Sequence, residues 1–388
     1  MNTVQSILTQ YWSVVFPSLS MLPSFTLKVI NALIMCRTDL LGSHLFRCDN
    51  EECGNELWLH NSCRNRHCPL CQARERAAWL EKQLIKLLPV RYFHVVFTIP
   101  SELRNIISRN RRVGYSLLFE AASQTILTLA ADPKRLNGRA GLIMMLHTWT
   151  QKLTFHPHVH GIIPGGVLSK DNNAWHAVGG KFLLPRDVVC ALFKGKFLGL
   201  LRHAYAEGKI SFDAAAFQNA IQCAYRKKWN VYLESPFENP LRVVKYLAAY
   251  SNRVAISDNR ILSVKNGVVR FGYLDRRHKS GARWKTECID AAMFIRRFTD
   301  HILPRGLVKI RYYGILSNRI QQSTYPVCCA LIKKQQPMRV VRFNVAVTEE
   351  MIKNVCADTA HTCSACRQGV LKIVNYRSAN RMNPEVND

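Results

Sequence analysis

Residues 156–160 read His-Pro-His-Val-His, and within them His158, Val159 and His160 form a histidine–hydrophobic–histidine triplet at the period of a β-strand. A strand sends alternate side chains to the same face, so this spacing projects both imidazoles together and turns Val159 toward a core on the other face. The lead-in Thr154-Phe155 and the exit Gly161-Ile162-Ile163-Pro164-Gly165-Gly166 predict a short strand ending in a glycine turn. Rigid backbone would then hold the imidazole pair beside an open loop, an arrangement suited to a metal ion. The plainer alternative is two half-exposed strand histidines.

A third ligand is within reach of the same pattern. Gly141 to Gln151 is a second apolar segment, and a reversal at Lys152 and Leu153 would set His147 opposite His158. Directly opposed residues of an antiparallel pair lie close enough to share an ion. The turn carries no Asn-Gly signal to pin this register, so Gln151, His156 and distant carboxylates stay open as alternatives.

A chain of 388 residues, 48% hydrophobic, can bury a large core and divides into two or three domains by size alone. Lys and Arg number 54 against 26 acidic residues, a formal charge of +28 spread along most of the length. Such a field favours a polyanion, and nucleic acid is the expected partner. No long uncharged apolar helix or basic amphipathic anchor argues for a membrane, and no secretory signal is evident, so a cytoplasmic location is expected. The 14 cysteines cluster with histidine, which favours metal binding over disulfides in such a chain.

The densest cluster holds Cys48 and Cys53, then Cys63, His67, Cys68 and Cys71. Zinc takes four thiolate or imidazole ligands in a tetrahedron, and two knuckles separated by a spacer supply them. Cys68-Pro69-Leu70-Cys71 is the tighter knuckle. One structural Zn²⁺ drawn from these six residues is the expectation. Ligands left over, Cys36 and His44 included, would form a second site or serve as core. Arg64, Arg66 and Arg74 around the knuckle would give the module a DNA-facing surface. Near the other end Cys363 and Cys366 form a further knuckle, with Cys356, His361, Cys328 and Cys329 as neighbours in sequence. A small C-terminal zinc site and free cysteines are both open there.

Tyr246 and Tyr250 fall on a helix that Pro240 is placed to open, and their i to i+4 spacing puts both phenols on one face. Paired tyrosines often serve packing. Beside a histidine metal site in a basic chain, a phenol can instead attack a phosphodiester whose phosphate is polarised by the metal. The phosphotyrosine bond so formed conserves the energy of the phosphodiester, and strands could be cut and rejoined without ATP. Between the runs Ile261–Val264 and Val268–Tyr273, Asn266-Gly267 is a strong hairpin signal. The basic hairpin region beyond it, with Arg270, Arg276, Arg277, Lys279, Arg283 and Lys285, would grip backbone phosphates or form a solvated charged face.

These pieces in series resemble the insertion sequence ninety-one family of rolling-circle transposases, in the HUH endonuclease superfamily. The resemblance rests on Asn61-Ser62-Cys63-Arg64-Asn65-Arg66-His67-Cys68-Pro69-Leu70-Cys71-Gln72, on Tyr92-Phe93-His94-Val95-Val96-Phe97-Thr98, and on Leu146-His147-Thr148-Trp149 leading into the histidine triplet. It continues through Tyr246-Leu247-Ala248-Ala249-Tyr250 and Arg253-Val254-Ala255-Ile256-Ser257. It implies that His158 and His160 hold Mg²⁺ or Mn²⁺, with His147 as the best third ligand, and that Tyr246 and Tyr250 are the nucleophiles of a two-tyrosine enzyme. It implies nicking of one strand, a 5′-phosphotyrosine link and a free 3′-hydroxyl, with single-stranded DNA at transposon ends and target DNA as the partners. The implied core is α+β, a central antiparallel sheet flanked by helices and preceded by a small zinc-binding module.

The expected division is residues 1–90 for the N-terminal helix, zinc module and carrier helix, and 91–260 for the nuclease core ending in the tyrosine helix. A basic C-terminal region over 261–378 and a disordered tail over 379–388 complete it. DNA contacts are expected from Arg64, Arg66, Arg74, Arg253, Arg276, Arg277 and Lys279. A plasmid relaxase or replication initiator would use the same chemistry, but the N-terminal zinc stretch argues against it. A non-enzymatic zinc-ribbon regulator would form no covalent adduct with DNA. Oligomeric state has no signature in the sequence.

Overall fold

The computed structural model describes residues 2–19, 22–71, 86–180, 183–236, 254–275, 281–337, 340 and 362–378. Tyr246, Tyr250, Arg74, Arg253, Arg276, Arg277, Lys279, Cys356, His361 and the expected tail 379–388 lie outside the described residues.

From the N-terminus come helices α1 (Val4–Val15) and α2 (Ser24–Ile34), then strands β1 (Ser43–Cys48) and β2 (Glu56–His60). Strand β3 (Tyr92–Thr98) leads into α3 (Arg104–Arg109) and α4 (Arg111–Ala131). The long hairpin of β4 (Gly141–Trp149) and β5 (Phe155–Pro164) follows, then the short pair β6 (Gly166–Leu168) and β7 (Trp175–Ala177). Helices α5 (Arg186–Ala206) and α6 (Ala214–Arg226) precede β8 (Val231–Leu233). Beyond lie β9 (Ile261–Lys265), β10 (Val268–Asp275), β11 (Arg283–Asp290) and α7 (Ala291–Thr299). The last described elements are β12 (Ile310–Gly314), α8 (Gln321–Gln335) and β13 (Leu371–Arg377). The architecture is α+β with antiparallel sheets flanked by helices, and no helix among the described residues is long and apolar enough to cross a membrane.

The chain forms two compact units, each assembled from separated segments. One comprises Met1–Ala78, Asn252–Ile302 and Glu349–Asp388, the other Trp79–Ser251 and Leu303–Thr348. The stretch 261–378, read as one C-terminal region in sequence, therefore contributes to both: β9–β11, α7 and β13 to the first, β12 and α8 to the second.

In the first unit, Thr3 and Ser6 form a reciprocal capping box that opens α1, and Asp290 caps α7 through Met293 N–H at 2.7 Å. These side chains satisfy amide donors that have no partner within their own helices. Asn266 (φ 49°) and Gly267 (φ 76°) supply the two left-handed residues of a tight hairpin between β9 and β10. A three-stranded sheet β9–β10–β11 and a second sheet in the order β13–β1–β2 complete this unit.

The second unit is built on a five-stranded sheet in the order β12–β4–β5–β3–β8, every neighbour antiparallel. Phe93, Val95 and Phe97 of β3 alternate onto one face with Leu142, Met144 and Leu146 of β4 and Val159 of β5. That face packs on Tyr115, Leu118, Phe119 and Ala122 of α4 and on Phe193 and Phe197 of α5. Gly161 sits on this face with Val95 so close that an added Cβ would meet Val95 Cγ1 at 2.8 Å. The opposite face carries His94, Val96, Thr98, His147, His158 and His160 by the same alternation.

Candidate metal centres and their family

The hairpin of β4 and β5 creates the histidine centre. Its turn closes through Thr150 N–H to Thr154 O at 3.0 Å and Leu153 N–H to Thr150 O at 3.0 Å, with Leu153 left-handed at φ 60°. The resulting register sets His147 opposite His158 and Met145 opposite His160. Beyond this pair the register shifts, so that Trp149 faces Phe155 and β5 carries one extra residue around His156 and Pro157. Proline has no amide donor for a ladder, and a bulge is where a strand tolerates it.

His147, His158 and His160 bring one ring nitrogen each within 4.8 Å of one another. His147 and His160 are 4% and 7% exposed, so two of the three imidazoles are shielded from bulk water. His158 Nδ1 lies 2.7 Å from the carbonyl of His156. A carbonyl only accepts, so Nδ1 carries the proton and Nε2 is left with a lone pair. Burial holds His156 itself far below the ordinary histidine range, at about 3, with smaller electrostatic contributions from the neighbouring His158 and Arg104, and this imidazole is neutral near pH 7. Among the described His, Cys, Asp and Glu residues His156 does not join the group, although it packs beside His158 at 5.2 Å between ring centroids.

Two further residues stand behind His160. His94 projects from β3, diagonal to His160 across the β3–β5 ladder, and its Nε2 lies 3.0 Å from His160 Nδ1. On its other side His94 Nδ1 lies 2.7 Å from Glu234 Oε2. One proton arrangement satisfies every partner with a carboxylate at the end: His94 Nδ1–H donates to Glu234, and His160 Nδ1–H donates to His94 Nε2. His160 Nε2 then keeps its lone pair, as a metal ligand requires. The polarity of His94 within an otherwise apolar strand is the one sequence signal for this chain. Glu234, beyond the far edge strand, gave none.

Eight of the described cysteines form two sets. Cys36, Cys63, Cys68 and Cys71 converge, with Sγ–Sγ separations of 3.5 Å for Cys36–Cys71, 3.6 Å for Cys36–Cys68 and 3.7 Å for Cys63–Cys71. Zn–S bonds of about 2.3 Å in a tetrahedron place sulfurs about 3.8 Å apart, so this quartet fits zinc with little adjustment. The Cys68 thiol beside it pulls Cys63 down to about 5, whereas burial pushes Cys36 up to about 12, so Cys63 is the natural first thiolate. Cys48 and Cys53, expected with this set, lie instead with Cys363 and Cys366. His67 joins neither quartet; its N–H donates to Asn65 Oδ1 at 3.0 Å within the knuckle loop. His44 sits on β1 opposite Leu59 and Tyr376, and Cys328 and Cys329 lie on α8 of the other unit. Arg64 is exposed and left-handed at φ 50°, and Arg66 is half-buried.

Residues 141–324 match a family model described as "Putative transposase", and residues 7–99 match one described as "Transposase zinc-binding domain". The chain is 38% identical over 350 residues to the protein named "Putative transposase y4qJ" of Sinorhizobium fredii, an alignment covering 88% of this chain and 87% of that one. The chain belongs to the insertion sequence ninety-one family of transposases. It is also 27% identical over 346 residues to the protein named "Transposase for insertion sequence element IS801" of Pseudomonas savastanoi pv. phaseolicola, covering 87% and 82% of the two chains. No solved structure matches. As a transposase the chain is a DNA-binding, DNA-processing enzyme. The transposase match spans the histidine hairpin and the tyrosine segment, and the zinc-binding match spans Cys36, Cys63, Cys68 and Cys71. Neither reaches Cys363 or Cys366.

Proposed function

We propose that this transposase nicks and rejoins single-stranded DNA in rolling-circle transposition, through a 5′-phosphotyrosine intermediate formed at a histidine-bound divalent metal. The observation that carries this reading is the convergence of His147, His158 and His160 on one sheet face, backed by the His94–Glu234 chain. His147, His158 and His160 would hold the ion; Mn²⁺ and Mg²⁺ are harder cations that favour oxygen, so either would depend on oxygen ligands from water and DNA besides these imidazoles. The bound metal would polarise the scissile phosphate and balance the charge that develops on it.

The protein's own groups divide the remaining work. A phenol oxygen of Tyr246 or Tyr250 attacks phosphorus, the bond to the 3′ oxygen breaks, and the proton lost by the phenol is balanced by one gained at the departing 3′-hydroxyl. The 5′ end stays esterified to tyrosine, so a later 3′-hydroxyl can reverse the step and release the phenol. A second tyrosine gives a second strand its own nucleophile. Near the histidines, Tyr232 of β8 makes an edge contact to His94 at 6.5 Å and leaves much of its ring exposed, a surface on which an incoming base could stack.

DNA grip is assigned to the zinc module through Arg64, Arg66 and Arg74, and to Arg253, Arg276, Arg277 and Lys279. The β10–β11 hairpin supports this role with Trp284, 69% exposed, on the same face as Arg270. An exposed indole on a sheet face that also carries an arginine offers base stacking and phosphate contact from one surface. Zn²⁺ at Cys36, Cys63, Cys68 and Cys71 would hold the module in shape.

The test is cleavage of a single-stranded oligonucleotide carrying the element's end by the zinc-loaded chain. Nicking should require added Mn²⁺ or Mg²⁺, leave a 3′ end that a polymerase extends, and vanish in His160→Ala. Cleavage that proceeds equally in His160→Ala, or only on duplex DNA, would refute the proposal.

A further inference from the structure

We propose that Cys48, Cys53, Cys363 and Cys366 hold a second structural zinc ion, which fastens the C-terminal strand β13 to the N-terminal zinc module. The four ligand sulfurs all lie within 4.8 Å of one another. Cys48–Cys366 and Cys53–Cys363 are each separated by 3.7 Å, close to the edge of about 3.8 Å expected of a zinc–thiolate tetrahedron. A disulfide would need about 2.05 Å.

The surroundings are built for sulfur ligands. Gly369 N–H donates to Cys366 Sγ at 3.3 Å, and Asn55 Nδ2 donates to Cys363 Sγ at 3.4 Å. Donors aimed at sulfur stabilise the thiolate form that zinc binds. A tight loop presents Cys363 and Cys366: Arg367 N–H bonds Cys363 O at 2.8 Å with Arg367 left-handed at φ 58°, and Cys363 N–H bonds Gly369 O at 2.7 Å. On the other half, Cys53 N–H bonds Asn50 O at 3.0 Å and Cys48 N–H bonds Asn55 O at 3.0 Å. Two loops, one from each end of the chain, thus offer two thiols apiece.

The strand that follows needs such a fastening. β13 pairs along β1 from Cys48–Leu371 to Ser43–Arg377, yet Ile373, Val374 and Tyr376 are largely exposed. With so little apolar area removed from water, ladder hydrogen bonds alone are a weak hold for an edge strand. A metal cross-link between residues far apart in sequence supplies what burial does not, because it removes freedom from the open chain.

Zinc counted by plasma mass spectrometry on the full chain should fall by one equivalent, from two to one, in C363S/C366S. Hydrogen exchange in β13 should rise at the same time. Gly369→Ala retains all four thiols, but the added Cβ would meet Cys48 Sγ at 2.4 Å. That variant should therefore lose one zinc to a chelator faster than wild type. Alkylation of wild type gives a test that needs no variant. Iodoacetamide should spare Cys48, Cys53, Cys363 and Cys366 in the zinc-loaded chain and label all four after chelation. Labelling of Cys363 and Cys366 in the zinc-loaded chain, or unchanged zinc in a folded C363S/C366S, overturns the proposal. Should C363S/C366S not fold, the wild-type labelling decides alone. None of these readouts involves DNA, so their outcome is separate from that of the nicking reaction.

Discussion

Shortening the chain from His160 through His94 to Glu234 should weaken metal binding in a graded order. His94→Ala leaves His160 Nδ1–H without the acceptor now 3.0 Å away, inside a site where His160 is 7% exposed. The proton can then shift to Nε2, the nitrogen needed for the metal. Loss of such an outer partner typically costs about 10–100-fold in metal affinity, or about 1.4–2.7 kcal/mol. Glu234→Gln is milder, because an amide oxygen can still accept from His94 Nδ1 at the present 2.7 Å although its negative charge is gone. A loss of about tenfold, the lower end of that range, is expected for it. The assay is titration of the zinc-loaded chain with Mn²⁺, following free ion by electron paramagnetic resonance, with circular dichroism checking the fold of each variant. Both variants binding Mn²⁺ within about twofold of wild type would refute the relay, as would a greater loss in Glu234→Gln than in His94→Ala.

Other outcomes follow from the same geometry. Affinity for single-stranded DNA should fall steeply with salt: if about 6 phosphates are neutralised, the logarithmic slope is about −4, and a flat response in a fluorescence-anisotropy titration would mean the +28 charge does not face DNA. Trp284→Ala should weaken that binding by about 1–3 kcal/mol while leaving the salt slope unchanged, since stacking involves no released counterions. Gly161→Ala should destabilise the histidine-bearing unit by about 1–3 kcal/mol, read as a lower melting temperature, because the new methyl would sit 2.8 Å from Val95 Cγ1. An unchanged melting temperature would show that β3 and β5 can part without cost.

Local periodicity made the histidine hairpin legible. Alternation set the face of His158 and His160, and a reversal at Lys152 and Leu153 offered His147 opposite His158 as one register, but no turn signal pinned it; the observed pairing comes from the Thr150–Thr154 turn itself. Asn266-Gly267 did announce its hairpin, as a backbone requirement carried by two neighbouring residues. Grouping the cysteines by proximity in sequence could not work. Cys36 joins Cys63, Cys68 and Cys71 across an intervening hairpin, and Cys48 and Cys53 meet Cys363 and Cys366 from the opposite end of the chain. Each pair carries the same local knuckle spacing whichever partner it finds, so spacing identifies ligands without assigning them to an ion. The same holds for Glu234, whose role depends on β8 lying beside β3 in the sheet.

The proposed chemistry passes through a covalent tyrosine–DNA bond, and isolating that bond decides it. The zinc-loaded chain, incubated with Mn²⁺ and a single-stranded oligonucleotide bearing the element's end, is denatured and digested with protease and nuclease, and the nucleotide-bearing peptide is sequenced by mass spectrometry. Phosphotyrosine is expected at Tyr246 or Tyr250, none without metal, and none in the Tyr246→Phe/Tyr250→Phe double variant, which should still bind Mn²⁺ and DNA as wild type does. Undiminished adduct from that double variant, or nucleotide attached to any residue outside this tyrosine pair, would contradict that chemistry.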